Sequence, residues 1–177
     1  MFIDESGFLL IPTRRRTWGP AGITPIMCYS YRHDRISALA ALTVSAKLKH
    51  MGLYVRFQRE NFHASDVAKF LRILLKHLKG HIVVLWDRAQ IHKGPFIKEV
   101  LKKNPRLHLE WFPGYAPELD PVEQVWNDFK RHDANSIPLN KQDIRLALHA
   151  NTRRARRSQT KLKSYVLSSD LPSAPWE

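Results

Sequence analysis

The sequence contains little cysteine and no long apolar run. Its one cysteine, Cys28, excludes an intramolecular disulfide and a cysteine-rich zinc site. A reducing, cytoplasmic location is therefore expected. No stretch approaches the roughly 18 consecutive apolar residues that a membrane-spanning helix needs, so no membrane segment is predicted. The first residues lack a basic region followed by an apolar one, so we expect no signal peptide.

Several common catalytic motifs are also missing. There is no glycine-rich phosphate loop, no H-E-x-x-H pattern and no paired cysteine and histidine spacing. The dipeptide Ser6-Gly7 lacks the surroundings of a nucleophile elbow. These absences argue against a P-loop nucleotide hydrolase, a zinc enzyme and a serine hydrolase.

Acidic residues are scarce relative to basic ones. The chain has 29 lysines and arginines against 16 acidic residues, a net charge of +13 and a pI near 10.2. Such a balance favours a polyanionic partner, with nucleic acid as the first choice. An anionic membrane surface is disfavoured because no basic amphipathic helix is evident. A basic but uninvolved surface is the alternative that charge alone leaves open.

The hydrophobic pattern predicts a mixed sheet with helices packed on it. Strands are predicted at 2–9, 26–32, 35–45, 53–60, 81–87 and 106–112, and helices at 65–79, 95–103, 121–131 and 140–157. Because the stretch 35–45 is rich in alanine, a helix remains an alternative to a strand there. Ser65 is the predicted N-cap of the first helix. The early strands form an antiparallel meander, and the helix after them should cross over to a parallel neighbour. One domain is expected over 1–165, followed by a loose tail at 166–177.

Two aspartates in predicted strands are candidates for a functional site. Asp4 interrupts an apolar strand, and alternation turns Asp4 and Glu5 to opposite faces, so the two cannot face one site. Asp87 ends the apolar run 82–86, where a buried carboxylate would need a cation, a donor or a metal. Surface exposure of Asp4 and a turn role for Asp87 remain alternatives.

Glu123 is the third candidate, and it has a structural alternative. The sequence Asp120-Pro121-Val122-Glu123 fits a capping box, with Asp120 as N-cap and Glu123 reaching back to it. A glutamate in the first turn would nevertheless project from a rigid element. Three converging carboxylates can hold two divalent cations, and oxygen ligands favour Mg²⁺ or Mn²⁺ over Zn²⁺.

Four motifs in order resemble the catalytic domain of the DDE transposases of the mariner-like superfamily, in its bacterial insertion-sequence branch. The motifs are FIDESGF at 2–8, WGPAGITP at 18–25, VVLWDRAQIHKG at 83–94 and FPGYAPELDPVEQVWNDFKR at 112–131. The resemblance implies an RNase H-like α/β fold that cuts and joins DNA with two divalent ions. Two positions depart from the family pattern: Arg88 stands where asparagine is frequent, and Asp120 where the usual motif also has asparagine.

The resemblance assigns the three acids to Asp4, Asp87 and Glu123, with 35 residues between the last two. It implies double-stranded DNA as partner, both as element ends and as target, and a homodimer in the complete protein. Family members carry helix-turn-helix domains upstream. We therefore expect this chain to be one reading frame of a split transposase. It would pair with the product of an upstream frame and act at the bacterial nucleoid.

Basic residues near the acids and on the last helix are the predicted DNA contacts. They are Arg14, Arg15, Arg16, Arg88, His92, Lys93, Lys130, Arg153, Arg154, Arg156 and Arg157. An inactive DNA-binding remnant is the main alternative to a strand transferase, and a structure-selective nuclease on the same fold is another.

Overall fold

Five strands form one sheet, and helices cover its two faces. The structure is a computed structural model that describes residues 1–29, 33–47 and 49–172. In chain order the elements are β1 (Phe2–Leu9), β2 (Arg35–Val44), β3 (Met51–Gln58), α1 (Ala64–His77), β4 (Ile82–Trp86), α2 (Pro95–Lys103), β5 (Leu107–Trp111), α3 (Pro121–His132), α4 (Lys141–Arg156) and α5 (Gln159–Leu167).

Strand β1 lies at the centre of the sheet, whose order is β3-β2-β1-β4-β5. It pairs antiparallel with β2, which pairs antiparallel with β3. It pairs parallel with β4, and β4 pairs parallel with β5. The predicted combination of an antiparallel meander with parallel strands is therefore confirmed. Phe2 lies opposite Leu85 in the parallel pair, and this register fixes which residues of β1 lie beside the carboxyl end of β4.

The two faces of the sheet bury separate apolar cores. One core joins the sheet to α3, α4 and α5 around Trp126 and Phe129, and the other joins it to α1 and α2 around Leu71 and Trp86. Strand β2 faces both cores, because its central residues 36–42 are all buried. Its alanines therefore allow close packing on both faces of the sheet. The alternative prediction of a helix in this stretch is wrong.

Several predicted elements shift in the structure. Residues 26–29 form no strand, and the remainder of the predicted strand 26–32 lies outside the described residues. Helix α1 begins at Ala64 with His63 as N-cap, so Ser65 lies inside the helix. The apolar run 82–86 is typical of a strand that is buried on both faces, yet Val83 in β4 is 45% exposed. Helices flank the sheet unevenly here, which leaves part of β4 open to solvent.

The C-terminal region contains two helices where the sequence predicted one. Ser158 caps α5 by accepting a hydrogen bond from the Lys161 amide, so the chain turns and starts a new helix. Helix α5 continues to Leu167 and Val166 is buried, so the chain is still packed where the tail was predicted to begin. Within the described part of the chain, no helix is long and apolar enough to cross a membrane.

Candidate metal centre

Asp87 follows the carboxyl end of β4, and Asp4 lies beside it on the neighbouring strand β1. Because Phe2 pairs with Leu85, the residues two positions further on, Asp4 and Asp87, lie at the same level of the sheet. Side chains two apart on a strand share a face, so both follow the face of Phe2 and Leu85. The carboxyl edge of parallel strands is where open sheets place their ligands.

The carboxylate of Asp4 is held by helix α3. The indole Nε1 of the buried Trp126 donates to Asp4 Oδ2 at 2.9 Å. Burial, together with the charges of Glu123 and Glu5, raises the pKa of Asp4 from 3.8 to about 7. The hydrogen bond from Trp126 acts in the opposite direction but is outweighed. Asp4 is thus a fixed carboxylate that is short of positive charge.

Asp87 is held through one of its two oxygens. The backbone N–H of Ala89 donates to Asp87 Oδ1 at 2.9 Å, and His92 Nδ1 lies 2.7 Å from the same oxygen. The side chain of Asp87 is nevertheless 57% exposed. The turn role that was the alternative for Asp87 is therefore observed, and the carboxylate, expected to be buried, faces solvent instead.

Glu123 does not form the predicted capping box. Asp120 caps α3 as expected, since its Oδ1 accepts from the Val122 amide at 2.9 Å. The Glu123 side chain forms no hydrogen bond or ion pair within the described residues, whereas a true capping box occurs at α1, between His63 and Asp66. The carboxylate of Glu123 is therefore not used by its own helix.

Asp120 is both a cap and part of the same electrostatic cluster. It is 5% exposed, and burial together with the charges of Asp4, Glu123 and Asp87 raises its pKa to about 8. Mutual repulsion of this kind shows that the four carboxylates share one region of the protein. All four line a cleft of about 540 Å³.

The donors of this cleft suit a hard divalent cation. All four are carboxylates, which are the ligands that Mg²⁺ and Mn²⁺ prefer. Two of them have raised pKa values because like charges are crowded in a partly dry site, a situation that a cation would relieve. In residues 1–29, 33–47 and 49–172, however, no three acidic, cysteine or histidine side chains are close enough to form a ready-made metal cage. The acids are gathered around the cleft rather than closed on one point.

Glu5 and His92 form a second layer that the sequence did not predict. His92 was expected to contact DNA, but it is 1% exposed, so that prediction is wrong. Its Nε2 lies 2.9 Å from Glu5 Oε1. Burial alone would lower the pKa of His92, but the hydrogen bond and charge of Glu5, and then Asp87, raise it instead. Only the apolar surroundings of the motif could have indicated this burial.

Tyr115 is a further feature of the cleft that sequence reasoning missed. It lies between Gly114 and Ala116 on the loop that lines the cleft, it is fully exposed, and its backbone has a φ of +57°. A non-glycine residue in the left-handed region is uncommon, and such strain is concentrated at functional sites. An aromatic side chain held outward at the rim could stack on a base.

Not all of the predicted DNA contacts have free side chains. Arg154 donates to Asp128 at 2.9 Å, and Arg156 Nε donates to the Leu53 carbonyl at 2.6 Å, so both also serve the fold. Lys130 lies over the Phe8 ring, and Lys93 lies over the Trp111 ring. The remaining predicted contacts are exposed: Arg14, Arg15, Arg16, Arg88, Arg153 and Arg157.

Solved structures of Mos1 transposase have a fold similar to that of this chain. A Mos1 transposase paired-end complex with the left transposon end matches 96% of this chain and 55% of its own, at 13% identity and a TM-score of 0.63. A Mos1 mariner paired-end complex with Mn matches 94% of this chain and 54% of its own, at 14% identity and 0.64. The Mos1 catalytic domain matches 98% and 84%, at 11% identity and 0.53.

These likenesses establish the RNase H-like fold of a transposase catalytic domain. The chain spans about half the length of the two complexes it matches. No curated protein sequence is significantly similar to it. The DDE superfamily endonuclease family matches residues 1–145, a region that includes all four carboxylates of the cleft. The chain belongs to the family of DDE superfamily endonucleases.

Proposed function

We propose that this chain is the catalytic domain of an insertion-sequence transposase that cleaves DNA and joins the freed 3′ ends to a target. The observation that supports it most is the cleft. Carboxylates from β1, the end of β4 and the start of α3 line one cavity in a protein whose net charge is +13. An acidic centre within a basic surface suits a metal-dependent reaction on a polyanion.

Asp4, Asp87 and Glu123 are the proposed ligands of two Mg²⁺ or Mn²⁺ ions, and Asp120 is the cap that fixes the start of α3. When bound, such ions activate the attacking oxygen and stabilise the charge that develops on the phosphate. The protein's own contribution is orientation. The Trp126 indole fixes Asp4, and the rigid first turn of α3 carries Glu123. Exposed arginines hold the DNA backbone.

The partners follow from the same proposal. Double-stranded DNA would bind twice, as the ends of the element and as the target site. The complete protein would act as a homodimer in the bacterial cytoplasm, at the nucleoid. The product of an upstream reading frame would supply the recognition of the ends. Mos1 assembles with its left transposon end, which supports a DNA partner of this kind.

A plasmid-nicking assay with Mn²⁺ tests the proposal. We expect the wild type to nick supercoiled DNA, and Glu123→Gln to lower the rate by at least about 100-fold, because one charged ligand is lost. Glu99→Gln is the matched control: Glu99 is an exposed acid on α2 that pairs with Lys103, so its loss should leave nicking unchanged. Equal nicking by Glu123→Gln and wild type would disprove the ligand assignment.

An inactive DNA-binding remnant is the second candidate. One observation favours it: the acids of the described residues do not already form a metal cage. It predicts salt-sensitive DNA binding with no nicking in Mg²⁺ or Mn²⁺. If nicking occurs, the joining of labelled 3′ ends to a second DNA separates a strand transferase from a structure-selective nuclease.

A further inference from the structure

The imidazole of His92 bridges two carboxylates from different parts of the chain. Its Nε2 lies 2.9 Å from Glu5 Oε1, and its Nδ1 lies 2.7 Å from Asp87 Oδ1 and 3.2 Å from the Asp87 carbonyl oxygen. All three neighbours are oxygens that accept hydrogen bonds. A ring that donates from both nitrogens satisfies every one of them.

The ring of His92 is held in place by burial and by stacking. It is 1% exposed and stacks flat on Trp86, with ring centroids 4.5 Å apart and 2° between the planes. Trp86 is the last residue of β4 and directly precedes Asp87, so the ring rests on the strand that carries its partner. A side chain locked in this way fixes the direction of its hydrogen bonds.

Asp87 needs such a restraint. Its side chain is 57% exposed, so solvent alone would leave the carboxylate free to rotate. His92 and the Ala89 amide both donate to Oδ1. Oδ2 accepts no hydrogen bond from the described residues. One oxygen is therefore held by the protein, and the other is left for a different partner.

Glu5 explains why the ring stays in place. It follows Asp4 on β1 but points to the opposite face of the sheet, towards the core of α1 and α2. From there it anchors the far side of His92. Two adjacent residues of one strand thus serve the same cleft from two directions: Asp4 directly, and Glu5 through the imidazole.

We infer that Glu5 and His92 form a positioning pair that orients the Asp87 carboxylate, with Oδ1 fixed and Oδ2 presented to a divalent cation. The inference rests on the proposed function, because it assumes that Asp87 is a ligand. Such outer partners of metal ligands typically contribute 10–100-fold to metal affinity. The pair acts on the orientation of Asp87 and does not touch the DNA.

Substitutions of His92 separate its stacking from its hydrogen bonds. His92→Phe keeps a flat ring over Trp86 but removes both N–H donors. His92→Asn keeps a donor near the position of Nδ1 but cannot reach Glu5. Glu5→Gln keeps an acceptor for Nε2 without the charge. His149→Phe is the control, because His149 is an exposed histidine that contacts Phe57 on the far strand β3.

Isothermal titration of the full chain with Mn²⁺ measures the effect, and thermal unfolding in EDTA reports whether each variant is folded. We expect His92→Phe to weaken Mn²⁺ binding by about 10–100-fold with little change in Tm, and His149→Phe to bind as wild type. His92→Asn should recover part of the affinity. In nicking assays, the Mn²⁺ concentration for half-maximal rate should rise while the maximal rate is largely retained.

The outcomes distinguish this inference from the proposed function. Wild-type Mn²⁺ affinity in both His92→Phe and Glu5→Gln would overturn the positioning pair and leave the metal centre intact. Equal loss of affinity in His92→Phe and His92→Asn, with a large drop in Tm for both, would assign His92 to packing alone and overturn the pair as well. Failure of the wild type itself to bind Mn²⁺ would overturn both.

Discussion

Two aspartates, Asp128 on α3 and Asp4 beside it, have opposite surroundings. Asp128 accepts from Arg154 at 2.9 Å, Lys161 at 2.8 Å and Tyr165 Oη at 2.9 Å. Burial acts to raise its pKa, but these partners outweigh it and lower the pKa below 3.8. Asp4 accepts from the neutral indole of Trp126, its charged neighbours are acids, and its pKa rises to about 7.

The difference is not a shortage of cations. The chain carries 29 lysines and arginines, yet within its described residues none of them forms an ion pair with a carboxylate of the cleft. Arg88 lines the cleft without pairing to an acid there. A buried acid that serves the fold has its charge balanced by the protein. The cleft acids lack that balance, as expected if an external cation supplies it.

The largest expected effect is on catalysis by Asp4→Asn. We expect DNA nicking in Mn²⁺ to fall by at least about 100-fold, because a ligand charge is lost. Stability in EDTA at pH 8 should not fall, since the substitution removes a poorly balanced charge. Gel assays and urea unfolding of the same preparation measure both. A large loss of stability with normal nicking would show that Asp4 stabilises the fold and does not serve the cleft.

Asp128→Asn should show the opposite pattern. We expect the free energy of unfolding at pH 7 to fall by about 2–3 kcal/mol, because Arg154 and Lys161 lose their shared partner in a partly buried site. Nicking per folded molecule at low temperature should stay near wild type. Tyr165→Phe removes one hydrogen bond and should cost about 1 kcal/mol. Urea titrations of both variants provide the measurement.

Divalent ions should stabilise the protein only through the cleft. At about 100 times its dissociation constant, Mn²⁺ should add about 2.7 kcal/mol to the free energy of unfolding of the wild type. Asp128→Asn should keep this increment, and Asp4→Asn should lose most of it. Thermal unfolding with Mn²⁺ and with EDTA gives the two values. The same increment in Asp4→Asn would locate the ion elsewhere.

The smallest expected effect is on the pH dependence of the free energy of unfolding, which should have opposite signs for the cleft acids and for Asp128. The folded pKa values of Asp4 and Asp120, about 7 and about 8, exceed the unfolded value of 3.8. The metal-free protein should therefore lose stability as the pH rises from 4 to 8.

Asp128 has a lowered pKa, so its contribution is present above pH 3.8 and is lost as the pH falls below that value. Urea unfolding in EDTA across pH 3–8 separates the two regions. Asp120→Asn should weaken the pH dependence of stability at the higher pH values. Asp128→Asn should weaken it at the lower pH values. A profile that rises steadily to pH 8 in the wild type would contradict the assignment for the cleft.

Local patterns predicted most of the fold and the components of the cleft. Alternation correctly turned Asp4 and Glu5 apart, and the apolar run before Asp87 correctly marked a central strand. Periodicity could not show that the loop after β4 folds back beneath the sheet and buries His92, because that contact with Glu5 spans 87 residues. The capping box was wrong because the Glu123 side chain lines the cleft and does not bond back to Asp120, a placement that the local sequence does not reveal.

The hydrogen bond between Asp4 and Trp126 joins residues 122 positions apart, so the cleft depends on contacts between distant parts of the chain. During synthesis β1 and β2 can pair early, but Asp4 has no indole partner until α3 has emerged from the ribosome. Pairing across such separations is slow because a long loop must close first. We therefore expect Mn²⁺ affinity to appear last in refolding, after the sheet and its helices have formed.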